Sequence, residues 1–169
     1  VAGEKKSFVN KGHYFELETP ERVNAFYSKL ARGWEAEYKE YRRLWYDLPA
    51  KQIVRDYPLL VDLETMSRCN LKCPMCPTVT EYFVEKRVKP FAKGQMSYET
   101  IEKVIDEIAG KVYSLRLSWI GEPTLHPNLV DAVRLAKGKG IKEVSFLTNG
   151  SRLELDYFIK LQEAGVDII

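Results

Sequence analysis

The sequence is poor in the residues that usually build disulfide or zinc frameworks. It has 3 cysteines and 2 histidines among 169 residues. Three thiols cannot pair off, and all of them lie between Cys69 and Cys76, where a disulfide would close almost no loop. A disulfide-stapled secreted domain is excluded, and thiols with another use belong in a reducing compartment. An excess of one charge is lacking too. Lys+Arg 26 against Asp+Glu 24 leaves a net charge of +2, so no bulk field draws in nucleic acid or an anionic membrane. No apolar run approaches the roughly 18 residues that a membrane span needs. No low-complexity tract occurs, and the opening Val1–Lys6 has no apolar stretch behind it, unlike a signal peptide. These absences lead to the expectation of a soluble, cytoplasmic protein with neither nucleic acid nor membrane as partner.

The residues present suit a globular domain. Apolar residues make up 45% and charged residues 30%, and the length gives one domain a real core without room for two large ones. The chain starts without Met and stops at the apolar Val166-Asp167-Ile168-Ile169. We therefore expect it to be the N-terminal part of a longer protein.

Residues 1–19 are mixed and polar. From Pro20 the pattern turns helical: Val23, Phe26, Leu30, Trp34, Tyr38, Tyr41 and Trp45 recur at steps of three and four. Thr19 is placed to cap this run and Pro49 to end it, while Gly33 offers a point of division into two helices. Residues 1–57 are read as a helical extension whose aromatic stripe packs on the domain C-terminal to it.

From Pro58 the pattern changes to alternating strands and helices. Strands are expected at 59–64, 112–119 and 144–148, with a fourth opening at Val166. Helices are expected from the Ser97 cap to Gly110, from Asn128 to Lys137, and from Leu153 to Ala164. Such alternation predicts an α/β fold of right-handed βαβ units with a parallel sheet, over 58–169. In parallel sheets the functional loops follow the C-terminal ends of the strands. Those loops carry Cys69-Asn70-Leu71-Lys72-Cys73-Pro74-Met75-Cys76, then Gly121-Glu122-Pro123, then Thr148-Asn149-Gly150. All three fall on one rim.

The C-x3-C-x2-C spacing suits few metals. Structural zinc takes four ligands, usually as two separated pairs, and neither His13 nor His126 stands at a zinc-finger spacing. A [4Fe–4S] cluster normally takes four cysteines. With three, one iron stays open, a liability unless a small molecule binds there. A zinc site, a simple electron-transfer cluster and inert thiols are the competing readings of these residues. Glu122 reads either as a loop-capping carboxylate or as a cofactor contact. Thr148 and Asn149 are either part of an Asn-Gly turn or face a cofactor or substrate. His126 reads as the start of a helix or as a catalytic group, and 137–140 as a solvated turn. Tyr82, Phe83 and Phe91 either cover the cysteine loop or pack in a core.

Taken in order, Cys69, Cys73 and Cys76 after the first strand, Gly121-Glu122-Pro123 after the second, and Thr148-Asn149-Gly150 after the third resemble the radical S-adenosylmethionine (radical SAM) superfamily. The segments Cys-Asn-Leu-Lys-Cys-Pro-Met-Cys-Pro and Gly-Glu-Pro-Thr-Leu-His-Pro are most similar to the branch that often carries a C-terminal SPASM domain. The resemblance covers residues 58–169 and implies the first half of a partial (β/α)6 barrel, a TIM-like fold left incomplete here.

The resemblance also implies a chemistry. Cys69, Cys73 and Cys76 would ligate three irons of a [4Fe–4S] cluster, with S-adenosylmethionine chelating the fourth. Reductive cleavage would then give a 5′-deoxyadenosyl radical for hydrogen abstraction from substrate, with an electron donor such as flavodoxin or ferredoxin. Met75, Gly121, Glu122, Pro123, Thr148 and Asn149 would face the cofactor, Gly121 by close backbone approach and Glu122 through the ammonium. Two departures from the family pattern are visible: Met75 where an aromatic residue is frequent, and Ile120 where the first glycine of Gly-Gly-Glu usually stands. The substrate, small molecule or peptide, is not specified by these motifs. The competing function is a truncated or degenerate iron–sulfur or zinc module without radical chemistry.

Overall fold

The computed structural model describes residues 19–76 and 94–169. Tyr82, Phe83, Phe91, His13 and the polar lead-in of residues 1–18 lie outside the described residues. The chain divides into two compact units, Val1–Glu40 and Tyr41–Ile169.

In the first unit, α1 spans Pro20–Leu30. Thr19 caps it in extended conformation, its hydroxyl accepting from Arg22 N, and Pro20 takes the first helical position, where a missing N–H costs nothing. The helical run does divide at Gly33, which adopts φ +83°. A left-handed residue ends a helix, and only glycine does so without steric cost. The next helix, α2, spans Glu35–Lys51. Trp34 and Tyr38 are buried, with rings edge-on at 5.1 Å.

In the second unit α2 continues past Pro49 to Lys51. Pro49 has no N–H to give the carbonyl of Trp45, and the helix runs only two residues past it, to Lys51. Tyr41 is buried and stacks on Tyr113 at 5.2 Å. The sheet comes next: β1 Leu60–Asp62, β2 Ser114–Arg116 and β3 Glu143–Ser145, parallel and in that order. Leu60, Val61 and Asp62 pair with Ser114, Leu115 and Arg116, which pair in turn with Glu143, Val144 and Ser145. The strands are shorter than the apolar runs suggest, because the chain leaves the ladder early to form rim loops. A fourth position opens where Ile168 bridges Ser145 in parallel.

The connecting helices are α3 Tyr98–Ile108, α4 Leu129–Gly138 and α5 Leu155–Ala164. Ser97 caps α3 through Thr100 N, and Gly165 ends α5 at φ +94°. Alternation along the strands then sorts the side chains. Leu115, Leu117, Val144 and Phe146 face the helices and pack with Ile101, Ile105, Leu129, Val133 and Leu161 into one core. Burying each of these contributes roughly 1.5–3 kcal/mol. The intervening Ser114, Arg116, Ser118, Glu143 and Ser145 are buried polar residues of the opposite face. There Arg116 pairs with Asp62 and Ser114 donates to Glu143 at 2.8 Å. One face carries the apolar core and the other a set of buried polar side chains.

Candidate functional site

The β1–α3 connection begins with the cysteines. Cys69 and Cys73 are exposed and Cys76 is half-buried. Cys76 N donates to Cys73 O at 2.9 Å, so the second and third cysteines share one tight turn. Pro74 lies inside that turn and fixes φ there. Met75 is 81% exposed, an unusual setting for a thioether that could otherwise be packed away.

The loop after β2 lies against the loop after β1. Glu64 Oε1 accepts from both Ile120 N and Gly121 N at 3.0 Å. Glu122 N donates to Arg68 O at 2.9 Å. A Cβ built on Gly121 would stand 1.9 Å from Met66 O and 2.8 Å from Ser67 Cα. The glycine is therefore required by the chain itself, since backbone of the first rim loop occupies the space a side chain would need. The close approach at this glycine is made by the protein's own backbone, whatever else lies beside it.

Glu122 is 2% exposed, and both of its carboxylate oxygens accept hydrogen bonds. Its Oε1 accepts from Thr124 N at 3.0 Å, Thr124 Oγ1 at 2.6 Å and Thr148 Oγ1 at 2.7 Å. Its Oε2 accepts from Asn149 N at 2.7 Å. One carboxylate thus caps the 3-10 turn Pro123–Leu125 and fastens the loop after β3. A buried carboxylate needs such partners, because leaving it unpaired costs far more than the bonds return.

The loop after β3 reaches back to the cysteines. Asn149 Nδ2 donates to Asn70 Oδ1 at 2.9 Å and approaches Cys69 Sγ at 3.6 Å. Asn70 Nδ2 donates to Ser151 Oγ at 2.8 Å. All three rim segments are therefore one hydrogen-bonded unit, from Thr124 through Glu122 and Asn149 to Cys69. Sequence reasoning does not name Glu64, Asn70, Thr124 or Ser151 as site residues, although Asn70 and Thr124 lie inside the motif segments and so carry a signal.

His126 is buried with both ring nitrogens in use. Nε2 donates to Met96 O at 2.9 Å and Nδ1 accepts from Asn128 N at 3.1 Å, which fixes the neutral Nε2–H tautomer. It joins the β2 loop to the segment before α3 and opens α4. A ring so committed has no lone pair left for a metal.

Among the described residues, no three His, Cys, Asp or Glu side chains converge on a single ion. An iron–sulfur cluster asks for a different arrangement, since each thiolate binds a different iron and the sulfurs stand apart. Three cysteines on one short loop, two of them exposed, fit that demand by the chemistry of their donors.

No helix among the described residues is long and apolar enough to cross a membrane. Residues 63–169 match the Radical SAM superfamily model. The chain is 36% identical over 110 residues to the tungsten-containing aldehyde ferredoxin oxidoreductase cofactor-modifying protein of Pyrococcus furiosus, covering 63% of this chain and 28% of that protein. It is 35% identical over 111 residues to a GTP 3',8-cyclase of Chlorobaculum tepidum, covering 63% of this chain and 30% of that protein. The chain thus spans less than a third of the length of these relatives. Among solved structures, BtrN in complex with AdoMet and 2-DOIA matches with a TM-score of 0.55 and 24% identity, over 67% of this chain and 44% of that one, a likeness of fold. The matched region, which begins just after β1, holds β2, β3 and every rim residue described above, and the chain belongs to the radical SAM superfamily.

Proposed function

We propose that this chain forms the cofactor-binding half of a radical SAM enzyme. Cys69, Cys73 and Cys76 would each hold one iron of a [4Fe–4S] cluster, leaving the fourth iron for S-adenosylmethionine. Bound there and reduced, such a cluster would supply the one electron needed for reductive cleavage of S-adenosylmethionine. The exposed thioether of Met75 packs on the adenine. Gly121, Glu122, Pro123, Thr148 and Asn149 form the wall facing the methionine moiety. The Glu122 carboxylate ties that wall together through the bonds it accepts from Thr124, Thr148 and Asn149. Hydrogen abstraction is from a substrate bound on the polar face of the sheet, and the electron comes from a flavodoxin- or ferredoxin-like donor.

The observation that carries this reading is the joining of all three rim motifs into one hydrogen-bonded unit beside the cysteines. The test is anaerobic reconstitution of the intact protein with iron and sulfide, followed by reduction in the presence of S-adenosylmethionine. Formation of 5′-deoxyadenosine, lost on replacing Cys69, Cys73 and Cys76 by Ala, is the expected result. A reduced, iron-replete protein that leaves S-adenosylmethionine intact would show a cluster module without radical chemistry.

A further inference from the structure

Two N–H groups approach the sulfur of Cys69: the backbone of Leu71 at 3.4 Å and the Asn149 side-chain amide at 3.6 Å. The first is local and would accompany any such turn. The second comes from a residue 80 positions later in the chain, held there by a set of long-range bonds.

The orientation of the Asn149 amide is fixed by its neighbours. Ser151 N, which can only donate, points at Asn149 Oδ1 at 2.9 Å. That assigns the oxygen to the Ser151 side and sends the two hydrogens of Nδ2 the other way, toward Asn70 Oδ1 and Cys69 Sγ. Asn70 is held in turn by Ser151 Oγ. The backbone of Asn149 is anchored by Glu122 Oε2, and Thr148 by Glu122 Oε1 and Gly150 N. Every polar atom of the Asn149 side chain is accounted for, and one of its hydrogens is aimed at sulfur.

We propose that Asn149 sets the reduction potential of the cluster by donating a hydrogen bond to the Cys69 thiolate, with Glu122 as the positioning residue behind it. The inference rests on the reading of Cys69 as an iron ligand. Adding an electron raises the negative charge on the cluster sulfurs, so a donor aimed at one of them stabilises the reduced form more than the oxidised form. Removing the donor must make reduction harder. The effect bears on whether a given electron donor can reduce the cluster, which is a different matter from holding it.

The experiment uses the intact reconstituted protein without S-adenosylmethionine. Asparagine labelled with a magnetic nitrogen isotope at the side-chain amide is incorporated, and pulsed EPR of the reduced cluster is recorded. Coupling to an amide nitrogen is expected in the wild type and lost in Asn149→Ala. The midpoint potential is measured by EPR-monitored titration. Both Asn149→Ala and Asn149→Asp are expected to lower it at unchanged iron content, with Asp lower because a carboxylate replaces the donor. A wild-type cluster without amide coupling overturns the inference, whether or not the variants fold. So does coupling that persists in Asn149→Ala, or an unchanged potential in both variants. A wild type that binds no iron would instead remove the reading of Cys69 on which the inference rests.

Discussion

Glu122 Oε2 accepts the backbone N–H of Asn149 at 2.7 Å, which ties the loop after β2 to the loop after β3 from inside the protein. This bond gives the Gly-Glu-Pro segment a structural duty besides any contact with a cofactor. Replacing Glu122 by Gln keeps the shape, but the new amide turns a donor toward either Asn149 N or the three donors at Oε1. A hydrogen bond to a charged group contributes roughly 1.5–3 kcal/mol. We expect Glu122→Gln to lower stability by about 2 kcal/mol, read from the urea midpoint of the intact protein. An unchanged midpoint would mean that the carboxylate is not clamping the two loops.

Gly121 tests the contact between the first two rim loops. An alanine Cβ would overlap Met66 O, which is backbone and cannot rotate away. Overpacking typically costs about 1–3 kcal/mol, and rigid backbone puts this case toward the upper end. Gly121→Ala is expected to destabilise the protein by about 3 kcal/mol and to reduce iron incorporation, because the cysteine loop continues from Ser67. Wild-type stability would show that the loops separate at no cost.

The barrel half and its rim were legible in the sequence for a simple reason. Ser97, Gly110 and Gly165 mark helix ends by local chemistry, and alternation of strand and helix fixes which loops share an edge. The order of three motifs on three successive strands then carried the resemblance to the family whose model the chain matches. What stayed hidden is long-range. Nothing near Glu122 in the chain announces that Thr148 and Asn149, 26 and 27 residues later, will donate to its carboxylate. The reason for Gly121 was equally invisible, since Met66 meets it only once β1 and β2 are paired. The aromatic stripe from Val23 to Trp45 gave its period correctly. Its division at Gly33 was readable because glycine is cheap at positive φ, whereas the tolerance of Pro49 depends on where the helix happens to end.

His126 separates a structural from a metal-binding role. Its ring joins Met96 O to Asn128 N and is 2% exposed. His126→Ala removes two hydrogen bonds and leaves a void, and each lost bond is worth roughly 1 kcal/mol net. We expect a stability loss of about 3 kcal/mol with iron per folded chain unchanged. A selective loss of bound metal at full stability would make His126 a ligand.

Tyr157 gives an alkaline signature. It packs against the core, and burial pushes its phenol above the usual value of 10.0; the charge of Glu122 adds to this and Arg152 opposes it. The unfolded chain therefore ionises first as pH rises. The stabilisation is fully present below the unfolded value and is lost as pH climbs through the folded one. Tyr157→Phe is expected to flatten the fall in stability above about pH 10. Identical alkaline slopes for both proteins would show that this phenol ionises alike in folded and unfolded chains.

The central claim is that three thiolates hold a [4Fe–4S] cluster and leave one iron to S-adenosylmethionine. EPR of the reduced, anaerobically reconstituted protein, recorded with and without S-adenosylmethionine, tests it most directly. The account predicts a [4Fe–4S] signal that changes shape when S-adenosylmethionine is added and that is absent when Cys69, Cys73 and Cys76 are replaced by Ala. A signal indifferent to S-adenosylmethionine, or a colourless protein holding zinc, would contradict it.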